Sequence, residues 1–265
     1  MIGSLNFRRT APLILIVGVG LAACVCRADP LLEEIVENSY PVESTAKFSI
    51  RNADGSIRIY GADIKEIRVQ AIKKAYRQER LAQISVKVTA RPGEVAIETE
   101  YPSKPRWGFS DRSGTVDYVI VVPQRMRISK LELENGEMLL EEVRSDQARA
   151  DLGNGRLFAH NCFGNLDLRL KTGNLAIVYE WWEDAEFSIR STIQDGNAFA
   201  YIPTDAAFHL IAQTATGKIA NDFQAKERRH AELVNKIDML VGGGGKTTFQ
   251  FENQDGNIKI SEHNP

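Results

Sequence analysis

Cysteine is nearly absent: the 265 residues hold three, and two of them, Cys24 and Cys26, fall in the leader. In a product that begins at Asp29, Cys162 stands alone and no internal disulfide can form, so stability must come from packing. Histidine is scarce too. His160, His209, His230 and His263 are scattered, with no pair at metal-ligand spacing, so neither a metal centre nor a cofactor is expected. Net charge is only −2, which argues against a nucleic-acid binder that relies on a strong positive field. The run Lys226-Glu227-Arg228-Arg229-His230 is mixed in sign and reads as a solvated face. The Gly-Gly-x-Gly-x-Asp calcium repeat is missing. Gly245-Lys246-Thr247 imitates the end of a phosphate loop, but Leu240 stands where its first glycine belongs and a strand pattern follows.

The apolar run Ala11 to Ala23 is too short and too glycine-rich for a comfortable membrane span, and with Arg8 and Arg9 before it reads as an export signal. Two cleavage sites compete. Leu21-Ala22-Ala23-Cys24 has the form of a lipobox, in which Cys24 would be lipidated and tie the chain to a membrane. Cys26 and Ala28 suit an ordinary signal peptidase instead. Loss of residues 1–28 leaves 35 acids against 30 bases, a balance that suits an exported soluble domain.

What the chain has in abundance is glycine beside a small turn residue, followed by a short alternating strand. Asp54-Gly55, Asn135-Gly136, Asn154-Gly155, Phe163-Gly164, Thr172-Gly173, Asp195-Gly196, Thr216-Gly217 and Asp255-Gly256 are eight such turns. Glycine supplies positive φ, and Asn or Asp beside it tolerates the left-handed region. Intervals of 19, 9, 9, 23 and 21 residues from Gly136 to Gly217 indicate a coil of about twenty residues that sometimes carries two turns. The pattern predicts an all-β fold, a single elongated β-solenoid or β-helix-like stack over 40–265. Residues 29–39 read as a short helical turn or tether, and 76–82 as a loop or helical turn. Asn135, Asn154, Asn165, Asn174, Asn197 and Asn257 sit at the turns, where some are expected to stack as amide ladders.

Three features resemble the bacterial putative-adhesin family of exported β-strand-repeat proteins, a domain of unknown function. The opening Phe48 to Ile59, followed by Ile67-Arg68-Val69, resembles that family's first strand, glycine turn and second strand. The stacked Asn/Thr-Gly units follow, and Asp255-Gly256-Asn257-Ile258-Lys259-Ile260 ends the pattern. The resemblance spans about residues 40–262 and implies an adhesive or structural role without catalytic residues to carry over. The segment Asp222 to Leu240 departs from it, being charged and long.

Two surfaces are candidates for function. Right-handed β-helices include polysaccharide lyases and hydrolases, which cluster acids and bases on successive coils. Convergence in a groove of three or more of Asp151, Asp167, Asp184, Asp195, Arg169 and Lys171 would favour such an enzyme; the aspartates also read as turn or surface residues. The aromatic group Tyr179, Trp181 and Trp182 is the partner-binding candidate. In a regular strand Tyr179 and Trp181 share a face and Trp182 takes the other. An exposed two-ring platform would stack on sugars or contact proteins; the competing role is to cover an opening of the stack. The expectation is a non-enzymatic module at the cell envelope whose partner is an envelope protein or a glycan. Cys162, with no histidine paired to it, reads as a packed core thiol.

Overall fold

The computed structural model describes residues 30–43, 46–102, 113–225 and 234–263. The segment expected to be an export leader, with Cys24, the centre of the 101–114 loop with Trp107 and Phe109, and the 226–230 run with His230 lie outside the described residues. In chain order the elements are β1 (Leu32–Pro41), β2 (Lys47–Ala62), β3 (Glu66–Ala75), α1 (Gln78–Gln83), β4 (Ser85–Arg91), β5 (Glu94–Glu100) and β6 (Thr115–Pro123). The long strands β7 (Arg127–Glu141), β8 (Ala148–His160), β9 (Leu166–Val178) and β10 (Ser188–Pro203) come next. Then follow β11 (Phe208–Thr214), β12 (Ile219–Asn221), α2 (Asp222–Ala225), β13 (Lys236–Val241), β14 (Thr247–Asp255) and β15 (Ile258–His263). The protein is all-β, with its strands joined in one mixed sheet that does not close.

Each long strand is two arms joined at a glycine. In β8, Ala148, Ala150 and Leu152 are buried before the bend, and Leu157 and Ala159 after it. The step from Leu152 to Leu157 is odd, so the bend inverts the inward phase and turns both arms' apolar sides to one core. The step recurs from Leu133 to Met138, Leu170 to Leu175 and Ile193 to Ala198. Parallel, in-register pairing brings Gly55, Gly136, Gly155, Gly173 and Gly196 into one column. At Gly173, φ is +137° and an added Cβ would lie 1.9 Å from the Gly155 carbonyl oxygen. Only glycine fits such a conformation at such an approach.

Behind the bend Ile57, Met138, Leu157, Leu175, Ala198 and Ile258 lie in register, at most 1% exposed. Each of the Ile, Leu and Met side chains in this column stabilises by about 1.5–3 kcal/mol. The amide ladders form as the turns predict: Asn135 Nδ2 donates to Asp54, Asn154 to Asn135, and Asn197 to Asn174. Asn165 stands apart in a return turn, where its amide donates to the Asp146 carbonyl.

Three expectations need correction. The eight glycine turns are not one set: Gly164 packs on the backbone of Ser145 in a return turn, and Gly217 joins Gly256 without positive φ. The rungs are not in chain order either, because β14 and β15 lie between β10 and the pair β11 and β12. At the other end β5 and β6 form the rung before β2. Within the 29–39 segment, Leu32 onward is strand rather than a helical turn or tether, since β1 pairs along its length with β3. That pairing engages one edge of the β1 backbone, and Glu33 and Glu34 meet Lys74 and Lys73 across it. Antiparallel strands finish both ends, β4 on β5 and β3 on β6 at one, β13 on β11 at the other. Residues 76–82 do contain a helical turn, α1.

Candidate functional site

Strand alternation sends every second residue of the first arm outward, and the register stacks those residues. Arg51, Glu132, Asp151, Arg169 and Thr192 make one column across β2, β7, β8, β9 and β10. Arg149, Asp167, Arg190 and Gln250 make the next. Where the first column meets the bend it opens into a groove of about 640 Å³ lined by Arg51, Glu132, Asp151, Arg169, Lys171 and Gln194, among others. Of the six residues weighed for polysaccharide chemistry, the structure brings three together here: Asp151, Arg169 and Lys171. Asp167 lies in the adjacent column, Asp195 sits at a glycine bend beside Asp255, and Asp184 is exposed in the 179–187 segment.

Three acids of this face, Glu132, Asp151 and Asp167, are already engaged. Asp151 accepts from Arg149 Nε at 3.0 Å and lies 3.7 Å from Lys130 Nζ. Lys130 also pairs with Glu132, and Arg169 Nη2 donates to Asp167 at 2.8 Å. Glycosidic bond cleavage needs one carboxyl kept protonated as an acid and a second free as base or nucleophile. Here Asp151 is taken up by Arg149 and Asp167 by Arg169. The arrangement offers both signs of charge to a polar ligand across five strands, with Glu132 and Asp151 between Arg51 and Arg169.

The aromatic candidates separate. Residues 179–187 form no strand, so alternation does not govern them. Tyr179 is fully buried and its hydroxyl donates to the Cys162 carbonyl, which removes it from any surface. Trp182 is half-buried among Phe187, Phe208 and Phe249, at ring separations of 6.0, 5.9 and 6.2 Å. Trp181 alone faces solvent, 40% exposed. Its ring lies 5.9 Å from Phe163, and its Nε1 donates to Glu183 at 3.1 Å. The expected platform of Tyr179 and Trp181 therefore does not exist: one ring of the pair is core. Arg144 locks the segment, donating to both oxygens of Glu183 at 2.7 Å while its guanidinium covers Phe163. Those hydrogen bonds hold the Glu183 carboxyl down to about 2.

The remaining candidates are structural. Burial pushes the Cys162 thiol up to about 12, so it is no nucleophile at neutral pH. His160 lies between Glu141 and Glu180, and His209 bonds Asp238. Among the described residues no three or more His, Cys, Asp or Glu gather to hold a metal ion. Thr247, the end of the phosphate-loop lookalike, opens β14 and donates to the Ala185 carbonyl. No described helix is long and apolar enough to cross a membrane. Sequence reasoning missed one surface, the outer face of the second arms, although runs such as Ala198-Phe199-Ala200-Tyr201-Ile202 carried its signal.

No family model matches the chain, and no curated protein matches it. Among solved structures, the chain is similar to a putative cell adhesion protein from Clostridium sporogenes ATCC 15579, at 16% identity and TM-score 0.49, covering 87% of this chain and all of that one. It is also similar to a putative adhesin from Bacteroides fragilis NCTC 9343, at 12% identity and TM-score 0.33. A third is a putative adhesin from Parabacteroides merdae ATCC 43184, at 8% identity and TM-score 0.34; each of these two alignments covers 86% of this chain and 97% of the other. These three are bacterial proteins described as putative adhesins or a putative cell adhesion protein; another similar structure, from Parabacteroides distasonis ATCC 8503, at 9% identity and TM-score 0.29, is described as a putative lipid binding protein.

Proposed function

We propose that the chain is a non-enzymatic binding or structural module, exported to the cell envelope, in which the parallel rungs form one β-solenoid. The observation that carries this reading is the in-register stack, which repeats outward side chains rung after rung and lines a groove across five strands. Such arrays present extended faces to a partner. The export leader with Arg8, Arg9 and the apolar run to Ala23 supports placement outside the cytoplasm, and Cys24 would add a lipid anchor if the lipobox is used. The names of the similar solved structures agree with an adhesive role. The partner would be an envelope protein or glycan.

A polysaccharide-acting enzyme is the second reading, favoured by the convergence of Asp151, Arg169 and Lys171 in the groove. The engaged state of Asp151 and Asp167 weighs against it. The test is retention of labelled protein on isolated cell envelopes, run beside reducing-sugar release from a panel of acidic and neutral polysaccharides. Retention that falls in Arg51→Gln/Arg169→Gln/Lys171→Gln, with no sugar released, supports the binding module. Sugar release abolished by Asp151→Asn would replace it with the enzyme. Deleting residues 1–23 should leave the protein in the cytoplasm, and Cys24→Ala should remove any acyl mass and membrane association.

A further inference from the structure

Six charged side chains line the groove at the bend: Arg51, Glu132, Glu134, Asp151, Arg169 and Lys171. Four of them already have partners. Arg51 lies 3.8 Å from Glu98, Lys130 pairs with Glu132, Arg149 with Asp151, and Arg169 with Asp167. Glu134 and Lys171 have no ion-pair or hydrogen-bond partner among the described residues. Lone exposed charges are ordinary on a surface. The placement of these two is not.

The register sets Glu134, Gly153 and Lys171 side by side on β7, β8 and β9, between the rows Leu133–Leu152–Leu170 and Asn135–Asn154–Thr172. The middle strand has no side chain at this station and has no room for one. A Cβ on Gly153 would lie 2.4 Å from the Glu134 carbonyl oxygen. The result is a notch one rung wide, with a carboxylate on one wall and an ammonium on the other. The amide ladder supplies its bend side. Asn135 donates to Asp54 and Asn154 to Asn135, but the next rung carries Thr172, so the ladder stops there. Asn154 Oδ1 is left at the notch as a second acceptor.

Dimensions narrow the ligand. Neighbouring strands are about 4.8 Å apart, so Glu134 and Lys171 stand about 10 Å from each other. A charge-assisted hydrogen bond at each wall takes up about 2.8 Å, which leaves roughly 4 Å between the ligand's own charged groups. That separation belongs to an ammonium and a carboxylate on the same carbon or on adjacent ones. A ligand of one sign is repelled by one wall whichever way it lies.

We propose that the notch over Gly153 binds a zwitterionic α-amino-acid centre, its ammonium held by Glu134 and Asn154 Oδ1 and its carboxylate by Lys171. A free amino acid carries such a centre, and so does the side-chain end of a diamino acid within a peptide. The groove continues over β2 and β10, so a chain attached to the centre has a path away from it. This inference rests on the binding-module reading and gives its groove a ligand class.

The test is saturation-transfer difference NMR on the full chain with diaminopimelate, which carries two such centres, beside alanine, pimelate, cadaverine and aminocaproate. Pimelate and cadaverine each keep one sign of charge; aminocaproate keeps both but holds them far apart. Diaminopimelate should bind saturably, and those three controls about tenfold or more weaker. Glu134→Gln and Lys171→Gln should each weaken diaminopimelate binding by about tenfold. The exchange Glu134→Lys/Lys171→Glu should recover it, because a zwitterion can turn end for end, whereas a merely structural loss would not be reversed. Equal binding of alanine assigns the notch to free amino acids, and binding confined to diaminopimelate assigns it to diamino acids; either outcome supports the proposal. Absence of diaminopimelate binding, equal binding of any of the three controls, or full binding in Glu134→Gln/Lys171→Gln would overturn it. If diaminopimelate fails while isolated envelopes still retain the protein and lose it in Arg51→Gln/Arg169→Gln/Lys171→Gln, the ligand class falls and the binding-module reading stands.

Discussion

Four glycines separate the two costs that a side chain meets in the stacked bend. Gly93 has ordinary φ and open space around a would-be Cβ. Gly243 has φ +82° and open space. Gly153 has ordinary φ, but a Cβ would lie 2.4 Å from the Glu134 carbonyl oxygen. Gly173 combines both, with φ +137° and a contact of 1.9 Å to the Gly155 carbonyl oxygen. Alanine at Gly93 should stay within about 0.5 kcal/mol of wild type. At Gly243 it should cost about 1–2 kcal/mol for the left-handed backbone. At Gly153 overpacking should cost about 1–3 kcal/mol. At Gly173 the two add to about 2–5 kcal/mol, toward the upper end because neither rung can move without displacing the glycines stacked beyond it. For a chain of this size that is a melting temperature lower by about 10 °C. Urea denaturation followed by far-UV circular dichroism reads the series, with an unchanged m-value as the check that all variants lose the same cooperative unit. If Gly173→Ala costs no more than Gly243→Ala, the column is not a close-packed element and the account of the bend is wrong.

Three further outcomes follow from the 162–187 region. Glu183 has a folded pKa depressed to about 2 by Arg144, so its stabilisation is full above about pH 4.5 and drains away as pH falls toward 2. Its side chain is 34% exposed, so solvent screening limits the effect to about 1 kcal/mol; urea titrations should show Glu183→Gln less stable than wild type at pH 6 and converging with it near pH 2. Trp182→Ala should cost about 3–5 kcal/mol by emptying the space among Phe187, Phe208 and Phe249, and Trp181→Ala about 1 kcal/mol, both read from thermal melts. Cys162 should resist iodoacetamide in the native protein at pH 8 and label fully in denaturant, because burial pushes its thiol up to about 12.

The parts of the fold that are local were legible in the chain. Each glycine bend announces itself through its Asn, Asp or Thr neighbour and the alternation around it, and the amide ladders follow once Asn135 and Asn154 fall on consecutive rungs. The placement of β14 and β15 between β10 and β11 was not legible, because parallel partners are chosen by pairing across long stretches of chain, which no local pattern records. The β1 strand was misread because its exposed Glu33, Glu34 and Glu37 suggest a solvated helix or tether, while its order comes from backbone pairing with β3. Tyr179 was misplaced because alternation was applied to a segment that leaves the sheet right after Val178. The apolar second arms were visible as continuous runs, yet such runs read as strands buried on both faces. Only one of those faces is covered.

The interleaved rung has a kinetic consequence. The β11 strand finds its parallel neighbour only when β14 arrives, after the intervening β12, α2 and β13 have been threaded past. β10 likewise holds an open edge until β14 and β15 dock on it. Consecutive growth of the array from β7 through β10 is local and can proceed rung by rung, but the step after β10 must wait for residues some fifty positions further along the chain. Non-local pairing of this kind is slow because loop closure must precede the contacts that reward it. During that wait the β10 edge is an unpaired template for another chain. The same segment that completes the array is therefore the one whose delay exposes the molecule to misassembly.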